Sequence, residues 1–266
     1  MLAPRHDTTA RPRGIASLLD LDVELAAALS TADVAGARSE LAVPLARFAP
    51  GLLNTAQIAR AGARLSGLLI VRGTLAREVI LADVSSLELL GPGDLIRPWD
   101  ARAEDSLLSY EEQWSVLAEA RLAVIDRLTA DRLAAYPELT RCLTQRVADR
   151  AQRLALTQAI SQMTRVDDRV RLMLWHLVER WGRMTPDGAV LPLPLSHRMI
   201  GQLVGARRPS VSSAVAALTR AGEIGRLTDG TWVVMGESPA QRTDLEAAPQ
   251  ELPRVVRDAS ARFASR

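Results

Sequence analysis

The chain contains no lysine, and all 33 of its basic residues are arginine. Abundant Ala and Leu accompany this, the pattern of a GC-rich coding bias rather than of a chemical requirement. A single cysteine, Cys142, excludes an internal disulfide and any site built on two or more thiolates, whether an iron–sulfur cluster or a Cys-rich zinc site. The three histidines, His6, His176 and His197, form no H-x-H or H-E-x-x-H pair, so neither metal nor cofactor is expected. Apolar runs such as Leu68-Leu69-Ile70-Val71 fall far short of the roughly 18–20 residues of a membrane span. The opening MLAPRHDTTARPRG has no apolar h-region. No membrane association is expected, and the expected location is the cytoplasm.

What remains is an ordinary globular composition, 48% hydrophobic and 24% charged, with a mean hydropathy of +0.04 over 266 residues. That length is enough for more than one core. Charge is unevenly placed. Residues 1–136 carry 14 arginines against 18 carboxylates, net −4, whereas 165–236 carry 10 against 6, net +4. The positive excess favours an anionic partner for the C-terminal module.

Four segments follow from the patterning. In 1–136, GIASLLDLDVELAAALS (14–30) has apolar residues at helical spacing and predicts a short helix. From 41 to 126, the runs LAVPLARF, GLLIVRGTL, REVILADV, SLELL and WSVLAEARLAVID alternate with turn signals, including Gly91-Pro92-Gly93-Asp94. They predict a small antiparallel barrel or roll. Residues 137–164 predict one long helix opened by Pro137, with Leu139, Leu143, Val147, Ala151, Leu154, Ala155, Ala159 and Met163 on one face. Such a seam suits either pairing with a second copy or packing on the roll. On this helix Cys142 reads as a small core residue, with a position opposite its twin as the other option. The segment 165–236 opens with a helix over 167–181, and 237–266, polar and proline-containing, reads as a flexible tail.

The most informative stretch is LSHRMIGQLVGARRPSVSSAVAALTRAG (195–222). Ser196 fits the N-cap of a short helix bearing Met199, Ile200, Leu203 and Val204. Gly205 fits the turn, and a second helix opens with Pro209 in its first turn and buries Val211, Ala214, Val215 and Leu218. Arg207, Arg208, Ser210, Ser212 and Ser213 then stand near the exposed start of that helix. Arginines there can reach phosphates or fork onto guanine, and small hydroxyl residues let a helix sit deep in a major groove. EIGRLTDGTWVVMG (223–236) adds a hairpin around Asp229-Gly230, a wing. The fold class expected is therefore α+β: an N-terminal antiparallel β-roll of jelly-roll type, a long dimerisation helix and a C-terminal winged helix-turn-helix. Ser196, Arg207, Arg208, Pro209, Ser210, Ser212 and Ser213 are the candidate DNA-binding residues, and no catalytic constellation or glycine-rich phosphate loop is present.

The order of these elements, with SHRMIGQLVGARRPSVSSAVAALTRAGEI, GLLIVRGTL, LELLGPGDLI and YPEL, resembles the Crp/Fnr family of bacterial transcription regulators over most of 40–236. The resemblance implies a non-enzymatic homodimer on a palindromic double-stranded DNA site, with RNA polymerase as a partner if it activates. It places the base-reading positions on Arg208, Pro209 and Ser213. Pro209 and Ser213 depart from the family's acidic residue and arginine, so the familiar operator does not carry over. Cyclic-nucleotide-binding members clamp the phosphate with a Gly-Glu-Leu helix and an Arg-Ala pair. Here the chain continues after Gly93-Asp94 as LIRPWDARAEDSLLSYEEQWSVL, with no Gly-Glu-Leu; Arg97 and Arg102 are the nearby cations and Trp99 the candidate pocket aromatic. The expectation is regulation without cyclic nucleotide, the effector being unidentified. The alternative is a cyclic-nucleotide or small-molecule sensor whose DNA-binding half is secondary.

Overall fold

The computed structural model describes residues 7–8, 11–55, 58, 65–99, 107–186, 188–236 and 238. The chain begins with β1 (Asp7–Thr8) and β2 (Arg11–Ser17), followed by three helices, α1 (Leu18–Leu21), α2 (Val23–Ala28) and α3 (Thr31–Glu40). The single helix expected over 14–30 is thus a strand end and two short helices. Asp22 causes the break. Its backbone is extended, and its carboxylate caps α2 by accepting from Leu25 N at 3.2 Å. Ser30 caps α3 in the same way through Asp33 N.

The roll consists of β3 (Ala42–Phe48), β4 (Gly51–Leu53), β5 (Leu65–Leu81), β6 (Val84–Leu90), β7 (Leu95–Ile96) and β8 (Glu111–Asp126). β8 is its spine, antiparallel to β5 along one edge and to β3 and β4 along the other, while β2 extends the sheet beyond β3. All of these pairings are antiparallel; β1 and β4 form a parallel pair. Two apolar cores share the sheet. Phe48, Leu68, Ile70, Leu75, Leu90, Trp114, Val116 and Leu122 fill the interior. Val43, Leu45, Leu69, Ala123 and Ile125 point outward beneath α1–α3.

Asp126 ends β8 and caps α4 (Arg127–Ala134), accepting from Thr129 N at 2.7 Å. After Ala135 and Tyr136 the chain enters α5 (Pro137–Ser161), whose 25 residues span about 37 Å. Pro137 at its first position lacks only a donor that a helix start leaves unpaired. The expected apolar seam divides. Leu139 and Leu143 join the core under α1–α3, with Cys142 packed beside them, whereas Val147 and Leu154 are exposed. Among the described residues, no helix is long and apolar enough to cross a membrane.

Arginines decide which face of α5 turns inward. Arg146, Arg150 and Arg153 lie on one stripe at spacings of four and three residues. Arg146 donates to Asp22 at 2.6 and 2.8 Å and to Glu24 at 2.8 Å. Burial raises the Asp22 pKa, but hydrogen bonds from Arg146 and Leu25 N outweigh it and the net shift is downward. Arg150 forks onto Glu88 at 2.6 and 2.8 Å. Arg153 reaches Asp94, which also accepts from Arg180 at 2.7 Å and from Gly91 N at 2.9 Å. Asp94 is almost fully buried, so its two arginines and one amide satisfy a charge that would otherwise be costly.

Asp94→Ala would leave Arg153 and Arg180 facing each other and Gly91 N without its acceptor. The expected loss is about 2–4 kcal/mol in urea unfolding, with Asp94→Asn losing less because it still accepts from Gly91 N. Equal stability of Asp94→Ala and wild type would show that the cluster contributes nothing net.

Candidate nucleic-acid interface

The C-terminal module starts with α6 (Val166–Trp181), whose inward face carries Val170, Met173, Leu174, Leu177 and Val178. It continues with β9 (Arg183–Thr185), β10 (Gly188–Leu191), α7 (His197–Val204), α8 (Arg208–Arg220), β11 (Ile224–Arg226) and β12 (Trp232–Met235). The strands form a sheet in the order β11-β12-β10-β9. The wing hairpin falls at the expected place, with Gly230 at φ +89 and Asp229 accepting from Thr231 N at 2.9 Å. The β9–β10 hairpin is not among the expected elements. In the sequence its signal is the turn-favouring Pro-Asp-Gly within Thr185-Pro186-Asp187-Gly188, flanked by runs too short to show alternation.

The crossing of α7 and α8 depends on two glycines. Gly205 ends α7 in the left-handed region, at φ +63 and ψ +40. Gly201, inside α7, accepts from Ala206 N at 2.9 Å, and a Cβ on Gly201 would stand 2.5 Å from Ala206 O. Its bare backbone lets the turn close, a role that helical periodicity does not reveal. Arg169 of α6 ties the turn down from beneath, donating to Val204 O and Gly205 O at 3.3 Å and to Met163 O at 2.6 Å. Trp232 is wholly buried at the centre of the module and donates Nε1 to Leu195 O.

Ser196 is the N-cap of α7 and accepts from Met199 N at 3.2 Å. Arg207, Arg208, Pro209, Ser210 and Ser213 are exposed around the first turns of α8, and Pro209 lies in its first turn. Ser212 is half-buried, its hydroxyl 2.9 Å from His197 Nδ1, so it joins the two helices rather than facing outward freely. No carboxylate occurs from Ser196 to Gly222, so the α8 N-terminus, the two arginines beside it and the wing's Arg226 meet no nearby acid of that segment. Arg226 stacks over Trp232 at 5.3 Å. Elsewhere α7 leans on the roll: Arg198 pairs with Glu78 at 3.2 Å, and Gln202 bonds to Glu78 and to Ser85.

The ligand candidates of the roll do not form a site among the described residues. Arg97 is exposed, Trp99 packs against the interior core, and Arg102 lies outside the described residues. Most of the tail, 237–266, also lies outside them.

Burial lowers the His197 pKa below 6.5, and the charges of Arg226 and Arg208 add to the effect. The unfolded chain therefore takes up a proton at His197 more readily than the folded one. Its contribution is complete above pH of about 6.5 and is lost as the pH falls through the lower folded value. An NMR titration of the His197 ring should show a midpoint below 6.5, and His197→Gln should flatten the acid side of the stability profile. A midpoint at or above 6.5 would contradict this placement.

No protein-family model matches the chain, and no curated protein matches it. Solved structures do. The chain is similar to a variant of CooA from Carboxydothermus hydrogenoformans, with 16% identity and a TM-score of 0.56 over 71% of this chain and 82% of that one. It is similar to a transcriptional regulator of the CRP family from Thermus thermophilus, with 19% identity and a TM-score of 0.51 over 71% and 91%. It is also similar to a cyclic nucleotide-binding domain containing protein from Listeria monocytogenes, with 14% identity and a TM-score of 0.55 over 81% and 97%. Roll, long helix and winged helix-turn-helix follow one another in the expected order, and the chain has the fold of the Crp/Fnr regulators.

Proposed function

We propose that this chain is a sequence-specific DNA-binding transcription regulator of the Crp/Fnr type, working as a homodimer on a palindromic site. The observation that carries the reading is the pair Arg207 and Arg208. Both are exposed at the N-terminus of α8, in a segment without carboxylates, on a helix pair braced by Gly205 and a wing. A helix so presented can enter a major groove, with one arginine on a guanine edge and the other on phosphate. Dimerisation is supported by the outer face of α5, where exposed Val147 and Leu154 stand with Ala148, Ala151, Ala155 and Ala159 once the arginine stripe has turned inward. Two copies joined there would address half-sites about 34 Å apart. The regulator is not controlled by cyclic nucleotide: no Gly-Glu-Leu occurs in the sequence, and large side chains occupy the roll interior. The proposed partners are duplex DNA, a second copy of the chain and, for an activator, RNA polymerase, in the cytoplasm.

Selection from random duplex DNA at fixed salt, without added ligand, tests this. An enriched palindrome is expected, and Arg208→Ala should then weaken cognate binding by about 1–3 kcal/mol while relaxing preference at one base position. Absence of enrichment from a folded dimer, together with a specific thermal shift by a cyclic nucleotide, would overturn the reading in favour of a sensor module.

A further inference from the structure

We propose that the outer face of the roll holds a binding site for a small oligophosphate, separate from the DNA-binding face and from the roll interior. Strand register makes the site. On the outward face, Leu45 of β3, Ala123 of β8 and Leu69 of β5 form one cross-strand row, buried beneath α1–α3. The next outward row, just beyond that cover, is Arg47, Arg121 and Arg72. Arg47 is paired directly with Arg121, and Arg121 directly with Arg72, where β5 slips register on both sides. On β2 the residue in register with Arg47 is Arg11.

Directly opposed residues on adjacent strands stand about 5 Å apart, so the three guanidinium stems rise from a row about 10 Å long. Arg47 and Arg72 are exposed and Arg121 is half-buried. Among the described residues, none of the three has an ion-pair or side-chain hydrogen-bond partner, and the Nε of Arg121 is buried without one. Glu119, two residues before Arg121 on the same strand face, is exposed and forms no ion pair with a described residue either. Several other arginines of the roll and α5 are matched with acids: Arg77 with Glu112 and Glu88, Arg150 with Glu88, Arg146 with Asp22.

Like charges placed directly across strands destabilise a sheet. A row of three that forms no ion pair with a described residue is held at a cost that a bound anion would relieve. Guanidinium forks match phosphate oxygens two at a time, and a linear row suits a linear ligand of two or three linked phosphates better than a single small anion.

The probe is inorganic tripolyphosphate, added to the full chain at low salt and followed by thermal unfolding and titration calorimetry. Two double variants accompany it: Arg47→Gln with Arg72→Gln in the row, and Arg207→Ala with Arg208→Ala on the DNA-binding face. The wild type should be stabilised by tripolyphosphate more than by orthophosphate at equal phosphorus. Without ligand, the row variant should melt about 1–4 °C above the wild type, because repulsion is removed. It should also bind tripolyphosphate at least about tenfold more weakly, while the Arg207/Arg208 variant keeps the full response. The proposal is overturned if wild type does not respond, if the row variant keeps its response, or if the response disappears with Arg207 and Arg208. Equal binding of oligoglutamate would overturn the phosphate assignment in favour of an acidic peptide. A reduced salt dependence of duplex DNA binding in the row variant would overturn it by assigning the row to DNA.

Discussion

Arg146, Arg150 and Arg153 set the orientation of the long helix α5, and with it everything carboxy-terminal to the roll. Each reaches an acid from a different part of the N-terminal half: Asp22 between α1 and α2, Glu88 on β6, and Asp94 after the Gly-Pro-Gly turn. Three charge-assisted contacts along one stripe leave α5 a single rotational setting in which none of these buried or half-buried charges is stranded. Asp94 extends the joint by accepting from Arg180 at the end of α6, so roll, long helix and C-terminal module meet at one carboxylate.

The same rotation sorts the apolar residues of α5. With the arginine stripe inward, Leu139, Leu143 and Ile160 are drawn into cores, and Val147 and Leu154 are left outside. The core of the C-terminal module does not stop at α6. Ala76, Leu87 and Leu89 from β5 and β6 belong to the same cluster as Ile200, Leu203 and Trp232. The first helix of the helix-turn-helix is thus seated on the roll's long hairpin and fixed there through Arg198, Gln202 and Glu78. The contact leaves the N-terminus of α8 open, since the residues that engage the roll lie on α7.

Local chemistry is readable in the sequence, and distant pairing is not. Ser196, Gly205, Pro137 and the Asp229-Gly230 turn each act within a few residues of themselves, so capping, φ preference and turn type suffice to place them. The arginine stripe escapes such reading because its acids lie 59 to 124 positions away, and the residues alone show no reason for Arg150 to choose Glu88. Ser212 falls in sequence among the outward-facing residues of α8, whereas its partner His197 is fifteen residues earlier, on a helix whose crossing angle depends on Gly201 and Gly205. The break at Asp22 has the same origin. Helical periodicity in 14–30 is real, but a carboxylate required by Arg146 takes one position out of the helix.

A joint built from guanidinium groups has a permanence that ammonium groups would lack. Arginine does not lose its proton in any physiological range, and a chain without lysine offers no side-chain amine to acetylation at these contacts. The cationic half of the joint between roll and α5 is therefore fixed in charge. Any loosening has to come from its acidic half or from an anion that outbids it, and the downward-shifted Asp22 places protonation of that carboxylate still further toward acid. Acidity of the kind that switches a histidine would leave the Arg146–Asp22 contact closed.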